Sequence, residues 1–256
     1  MIIELRDVTI RYGALCAVSG VSLQARRGEV LGLLGPNGSG KSSLLRAIAG
    51  LVQFGGDIGF GAEIPPVIGF MPQDTSSSFA LTVLETVLLG RLRHLALRVS
   101  PEDLEAVDAV LTRLGIAGLA SRMIGDLSGG QRQLTFLAMA LVAQPSVLLL
   151  DEPISALDMH HQLQVLETVG ELTRDLGLIT IVVMHDLTSA ARHCDRIVIL
   201  QNGTVAVAGS PHEAMKPDIL SRVFQVDVEC LKDSRNRTVI VPLASRTQES
   251  WKHWKC

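Results

Sequence analysis

The run Gly35-Pro36-Asn37-Gly38-Ser39-Gly40-Lys41-Ser42 combines glycine, lysine and hydroxyl groups at a spacing that can hold phosphate. It meets the pattern G-x-x-x-x-G-K-[ST] in full. Its glycines let backbone N–H groups curl around phosphate oxygens with no Cβ in the way. Lys41 can reach a β- or γ-phosphate, and the Ser42 hydroxyl can ligate Mg²⁺. At average glycine usage, a chance match in a chain of this length is roughly a one per cent event. A second reactive group stands downstream, where Leu148-Leu149-Leu150 runs into Asp151-Glu152-Pro153. Carboxylates at the C-terminal edge of a buried strand sit where an open α/β sheet binds its ligands. Asp151 would hold Mg²⁺, directly or through water, and Glu152 would polarise an attacking water as general base. Taken alone, the pair could equally be a solvated acidic turn. The glycine loop upstream is what turns the reading toward catalysis.

These groups need elements to position them. Val30 to Leu34 predicts a strand entering the glycine loop, and about Ser42 to Ala49 a helix leaving it, closed by Gly50. The N-terminus of that helix adds a dipole favourable to an anion. Upstream, Ile3 and Leu5, then Val8 and Ile10, predict short strands. Val18 to Leu23 predicts another, joined to Val30 by a turn at Arg26-Arg27-Gly28.

From Thr82 to about Ser128 the pattern becomes helical. Thr82 and Glu85 form a capping-box pair, with Val83, Leu84, Val87 and Leu88 directed inward. Ser100-Pro101-Glu102-Asp103 starts a further helix, on which Leu104, Val107, Leu111 and Leu114 recur before Gly115 stops it. The stretch predicts a helical lobe inserted into an α/β core. Leu134 to Leu150 then reads as a buried helix, a turn at Gln144-Pro145 and a buried strand. Val147 to Leu150 and Ile179 to Met184 are short apolar runs, as in strands covered on both faces. A helix carrying Leu163, Leu166, Val169 and Leu172 lies between them. Asn202-Gly203 between Ile197–Leu200 and Thr204–Val207 is a hairpin signal, and Ser210-Pro211-His212-Glu213 starts one more short helix. Past Arg235 the pattern is polar and uninformative.

Composition excludes several classes. At 256 residues the chain can bury a sizeable core. A net charge of −3 supplies no long-range pull toward nucleic acid. The first residues lack the long apolar run of a secretion signal, and no segment has the roughly 20 consecutive apolar residues of a spanning helix. Cys16, Cys194, Cys230 and Cys256 show no C-x-x-C pairing and read as reduced thiols.

Leu127-Ser128-Gly129-Gly130-Gln131, at the start of an apolar helix running to Ala143, resembles the signature motif of ABC ATPases. This motif separates them from other phosphate-loop proteins, GTPases and small-molecule kinases included. Further stretches match the family in order from about Ile2 to Phe224. Tyr12 matches the aromatic that stacks on adenine, although an isolated tyrosine could equally be core. Gln73, after Met71-Pro72, matches the glutamine that senses Mg²⁺ and the attacking water while touching the membrane subunit. Asp158, in Ser155-Ala156-Leu157-Asp158, matches the loop that crosses the dimer interface. His185, after Ile181-Val182-Val183-Met184, matches the histidine that contacts the γ-phosphate. His160 and His161 are assigned to a solvated helix face and no metal.

There are departures. Ser43 stands where threonine is usual, and Ile154 replaces a common threonine beside the carboxylates. The stretch from Gly50 to Gln73 is shorter than usual and carries Pro65-Pro66, which leaves the edge of the first sheet open.

The resemblance implies a phosphate-loop NTPase core of RecA-like α/β type, with an antiparallel β edge and an inserted helical lobe. Its implied organisation is an ATPase domain over 1–235, divided into a nucleotide-binding core (1–74 and 145–235) and a helical signature lobe (75–144), followed by a tail over 236–256. ATP and Mg²⁺ are the implied cofactors. The nucleotide would lie on Tyr12, Gly35, Pro36, Asn37, Gly38, Ser39, Gly40, Lys41, Ser42 and Ser43. It would be clasped from a second copy by Ser128, Gly129, Gly130 and Gln131, with Asp158 at the interface. Ser42, Gln73 and Asp151 would attend the metal, and Glu152, His185 and Gln73 the chemistry. The implied activity is ATP hydrolysis in an importer. Leu84–Arg91, His161–Leu166 and His185–Arg192 make the chain resemble ATPases that serve uptake of iron–siderophore, haem or cobalamin. Other cargoes such as a metal ion or amino acid, or a non-transport ABC ATPase acting on nucleic acid or ribosomes, are the alternatives. The expected partners are integral-membrane permease subunits, a second copy in a head-to-tail dimer and, indirectly, a substrate-binding protein. No nucleic acid is expected. The expected location is peripheral, on the cytoplasmic face of the inner membrane.

Overall fold

Strand β1 (Ile2–Tyr12) turns through Gly13 into the antiparallel β2 (Leu15–Arg26). Ile3, Leu5, Val8 and Ile10 are buried, as alternation predicts. Periodicity suggests two short strands here, whereas the structure joins them through a bulge. Asp7 takes φ 50° and the register shifts between Leu5 and Val8. The structure is a computed structural model and describes residues 1–62, 65–73, 80–92, 99–155 and 157–246. Ala156, Cys256 and the last part of the expected tail lie outside the described residues.

Next come β3 (Val30–Leu34), α1 (Lys41–Ile48), β4 (Gly55–Gly59) and β5 (Ile68–Met71). β4 pairs with the free side of β1, so the first sheet runs β2-β1-β4. Its edge, left open by the sequence, is a short glycine-flanked strand. α2 (Val83–Leu89) and α3 (Pro101–Arg113) both start with complete capping boxes, at Thr82/Glu85 and Ser100/Asp103. Val107, Leu111 and Leu114 are buried as expected. Leu104 is the exception, at 44% exposure: it lies on the outer side of its helix, where spacing alone did not separate it from the inner stripe. α4 (Gly129–Leu141) follows, then β6 (Val147–Asp151), α5 (Met159–Leu176), β7 (Ile179–Val183), α6 (Leu187–His193), β8 (Arg196–Gln201) and β9 (Thr204–Gly209).

The main sheet has the order β5-β6-β7-β3-β8-β9. The strands from β5 to β8 are parallel and β9 returns antiparallel through Asn202-Gly203. β3, β6 and β7 are buried along their whole length. Alternate residues feed two cores. Val147, Leu149, Ile179, Ile181 and Val183 pack toward α1 and the small sheet. Leu148, Leu150 and Val182 pack toward the helices on the other face, including α4 and α5.

The chain closes with α7 (Pro211–Ala214), α8 (Pro217–Phe224), β10 (Val226–Lys232) and β11 (Thr238–Ser245). β10 and β11 form a hairpin, so residues 238–245, expected as a tail, are a strand. Contacts to α6 anchor it. The Thr188 hydroxyl on α6 accepts from the Ile240 N–H at 3.1 Å, and Asp233 in the turn pairs with Arg192 of α6 at 3.5 Å. Among the described residues, no helix is long and apolar enough to cross a membrane.

Candidate functional site

Parallel pairing brings the reactive groups together. Val183 on β7 aligns with Leu33 of β3 on one side and with Asp151 of β6 on the other. Just beyond this row, the three chains leave the sheet as Gly35, His185 and Glu152. Residues more than a hundred positions apart in sequence thus emerge at one sheet edge.

The glycine loop is held close to two neighbouring backbones. A Cβ on Gly35 (φ 143°) would lie 2.2 Å from the Leu200 carbonyl oxygen, and one on Gly40 (φ 98°) 2.4 Å from that of Ala17. Only glycine tolerates both demands. Lys41 folds back, and its Nζ donates to the carbonyls of Gly35 and Pro36, each at 2.9 Å. An ammonium has three N–H donors, so one is left for an acceptor in the cleft. Burial pushes the Lys41 pKa down, opposed by the nearby Glu152 and Asp151 carboxylates.

Ser42 Oγ donates to Asp151 Oδ1 at 3.0 Å, joining the glycine loop to β6. Asp151 is fully buried, and its Oδ2 has no protein partner. Burial raises its pKa, and the Ser42 hydrogen bond works against the rise. A buried carboxylate with a spare oxygen beside a hydroxyl suits a hard divalent cation such as Mg²⁺, which prefers oxygen ligands. Ser39 Oγ, also buried and without a protein partner, faces the same loop.

Glu152 turns away from the strand in the left-handed region, at φ 56°. A non-glycine residue held there stores strain of order 1–3 kcal/mol. Its N–H donates to the Val183 carbonyl at 3.1 Å, and its carbonyl accepts from the Ser155 hydroxyl and the Gln133 side-chain amide, each at 3.2 Å. Glu152 Oε1 lies 2.5 Å from His185 Nε2. With the carboxylate ionised, the imidazole N–H must be the donor.

A cleft of about 560 Å³ opens here, lined by Tyr12, Asn37 to Ser43, Gln73, Glu152 and His185. Tyr12 is 44% exposed at the end of β1, and Gln73 is exposed just past β5. Leu15, Cys16 and Ala17 also line the cleft. They were not singled out from the sequence. The signal was available in hindsight, since the tight turn at Gly13 folds them back beside Tyr12.

Other expected residues stand apart from this cleft. Ser128 caps α4, where its hydroxyl accepts from the Gln131 N–H and the Gln131 amide oxygen accepts from the Ser128 N–H, both at 3.3 Å. Ser128, Gly129, Gly130, Gln131 and Asp158 do not line the cleft. Asp158 caps α5, accepting from the His161 N–H at 2.9 Å, with His161 Nδ1 2.8 Å from the same oxygen. The His161 backbone N–H, and then its ring, hold the Asp158 carboxyl below its ordinary pKa. Within the chain these two helix tips are neighbours: a Cβ on Gly130 would meet the His161 ring at 3.3 Å. Each chain therefore presents the glycine-loop cleft and, outside its lining, a capped helix tip.

Residues 18–155 match the ABC transporter family. The cobalamin import ATP-binding protein of Halobacterium salinarum is 36% identical over 96% of this chain, which spans 65% of that relative's own length. The iron(3+)-hydroxamate import ATP-binding protein of Bacillus subtilis is 37% identical, covering 91% of each chain. The hemin import ATP-binding protein of Shewanella denitrificans is 39% identical over 89% of this chain and 94% of its own. Among solved structures, an inward-facing ABC transporter assigned to the metal-chelate type superposes with a TM-score of 0.85 at 28% identity, covering 94% of this chain and 97% of that one. A dimeric bacterial ABC transporter cassette gives 0.73 at 28% identity, over 82% and 98%.

Proposed function

The chain belongs to the ABC transporter family of ATP-binding proteins, and on that premise we propose that it is the ATP-hydrolysing subunit of an importer. Its work would be to couple ATP binding and hydrolysis to uptake through membrane permease subunits. The named relatives support a cargo of the iron–siderophore, haem or cobalamin class. The family's solved dimer supports pairing with a second copy. The assembly would sit peripherally, at the cytoplasmic face of the membrane, and receive cargo by way of a substrate-binding protein.

The observation that carries this reading is the Glu152–His185 pair at the rim of the glycine-loop cleft, with the Ser128 helix tip outside that cleft. Lys41 and the loop N–H groups would bind the phosphates, Tyr12 would cover the base, and Asn37 to Ser43 would fix the orientation. Mg²⁺, held by Ser42 and Asp151 with Gln73 nearby, would neutralise charge on the phosphate oxygens. Glu152 would accept the proton of the attacking water, and His185 would hold the γ-phosphate side of the cleft. Ser128 and the N–H groups of Gly129 and Gly130 would clasp the nucleotide of the second copy, with Asp158 at the seam. The core would comprise 1–74 and 145–235 plus the hairpin strand 238–245, with the helical signature lobe over 75–144.

Glu152→Gln keeps the shape and removes the base. Its ATP turnover should fall by about 10²–10⁴-fold with nucleotide affinity retained, measured by phosphate release and equilibrium binding. Turnover at the wild-type rate would overturn the assignment of the base.

A further inference from the structure

Gln133 lies one helical turn inside α4, counted from the Ser128 cap, and is only 2% exposed. Few buried side chains so close to a helix tip are polar without a reason. Its Nε2 donates across the lobe boundary to the main-chain carbonyl of Glu152 at 3.2 Å. Glu152 is the residue whose backbone sits at φ 56° and whose carboxylate bonds His185. A side chain of the signature helix therefore grips the strained peptide that aims the base of the same chain.

We propose that Gln133 is a positioning residue that couples the two nucleotide sites of the dimer. The inference rests on the functional reading above. In a head-to-tail pair, the Ser128 tip of one chain serves the partner's nucleotide, whereas its Glu152 serves its own. α4 belongs to both sites: its tip touches one and its Gln133 steadies the base of the other. When the tip engages phosphate and α4 shifts, the pull on the Glu152 carbonyl changes the aim of the carboxylate. Coupling of this kind needs a contact that differs between the open and engaged positions of α4, and a hydrogen bond across a lobe boundary is such a contact.

The local chemistry also says what the bond is not. The Glu152 carbonyl has another donor in the Ser155 hydroxyl at 3.2 Å, and the Ser155 N–H lies at 3.3 Å. Removing the Gln133 amide leaves that oxygen paired, so the large penalty of an orphaned buried acceptor does not arise. What is lost is the tether between α4 and the strand end. Gln133 is not among the residues lining the cleft, so substrate affinity should be spared.

The test uses the full-length chain with Gln133→Met, which keeps the volume and removes the donor, and Gln133→Asn, which keeps an amide too short to reach. In both, kcat should fall about tenfold, the loss of one hydrogen bond's worth of aim, with KM for ATP within about twofold. The Hill coefficient for ATP should drop from above one toward one, and the melting temperature should stay within a few degrees. Having two variants of different shape keeps the test open if one of them folds poorly. Wild-type kcat and Hill coefficient in a folded variant would overturn the proposal. So would a fall in kcat that merely tracks loss of folded protein in both variants. Failure of the functional reading looks different: there Glu152→Gln itself would turn over at the wild-type rate.

Discussion

The N-termini of α1 and α4 are both helix tips with glycine beside them, yet they are finished in opposite ways. At α1 the cap is Gly40, with no side-chain hydrogen bond, and the nearby Ser39 Oγ is buried without a protein partner. The backbone at Gly35 and Gly40 has room only for glycine, and Lys41 is tied down by two carbonyls. At α4 the Ser128–Gln131 capping box satisfies the tip from within, with Ser128 exposed and Gln131 half-buried. The first tip is a preorganised receptor whose polar groups are already aimed. The second is satisfied from within the chain and, on the proposed reading, would exchange the Gln131 bond for a new partner. On the proposed reading, a chain built this way would hold one whole nucleotide cleft and one detached half-clamp, as a motor that works only as a pair requires.

Breaking the first tip should have the larger effect. Lys41→Ala removes a charged donor to the phosphates and should weaken ATP binding by about 100-fold, read by fluorescence or calorimetric titration. Since the ammonium is buried, with its pKa pushed down by that burial, its removal should not lower the melting temperature. Unchanged affinity would remove the distinction between the two tips.

Ser128→Ala acts on the second tip and should separate two quantities that move together for Lys41. Binding of ATP to the single chain should stay as in wild type, while ATP-driven dimerisation, followed by sedimentation, weakens by about tenfold. The lost cap should also cost about 1 kcal/mol of stability. A Ser128→Ala chain that dimerises as tightly as wild type would mean the second tip plays no part in closure.

The smallest effect serves as a control in the β10–β11 turn, outside the cleft lining. Backbone N–H groups, that of Arg237 foremost, and the Arg237 guanidinium hold Asp233 down to about 2. A carboxyl lowered on folding contributes stability that is whole above its ordinary value and is lost as pH falls toward the folded one. The β10–β11 hairpin should therefore loosen between about pH 4 and pH 2, seen as lost amide protection, and Asp233→Asn should flatten that dependence. Nucleotide binding at neutral pH should not change in the variant.

Much of the cleft was readable because its motifs are local. The glycine loop needs consecutive residues, and the Asp151-Glu152 pair follows an unbroken apolar run. The capping box at Thr82 and the helix starts at Ser100 and Ser210 were readable for the same reason. What escaped depends on distant partners. β11 shows no strong alternation, and its place is set by its pairing with β10 and by Thr188 of α6. β4 and β5 are short, and they gain strand geometry only from β1 and β6. Leu15, Cys16 and Ala17 join the cleft through a turn. The Gln133–Glu152 bond spans two lobes, so no spacing rule could have announced it.

The most direct measurement is a structure of the Glu152→Gln chain trapped with ATP and Mg²⁺. Two copies should face each other head to tail, with Ser128 Oγ of one within hydrogen-bonding reach, about 3 Å, of the γ-phosphate held by the partner's Lys41 loop. A nucleotide-loaded chain whose Ser128 tip faces only solvent, remote from every phosphate, would contradict the account at its root.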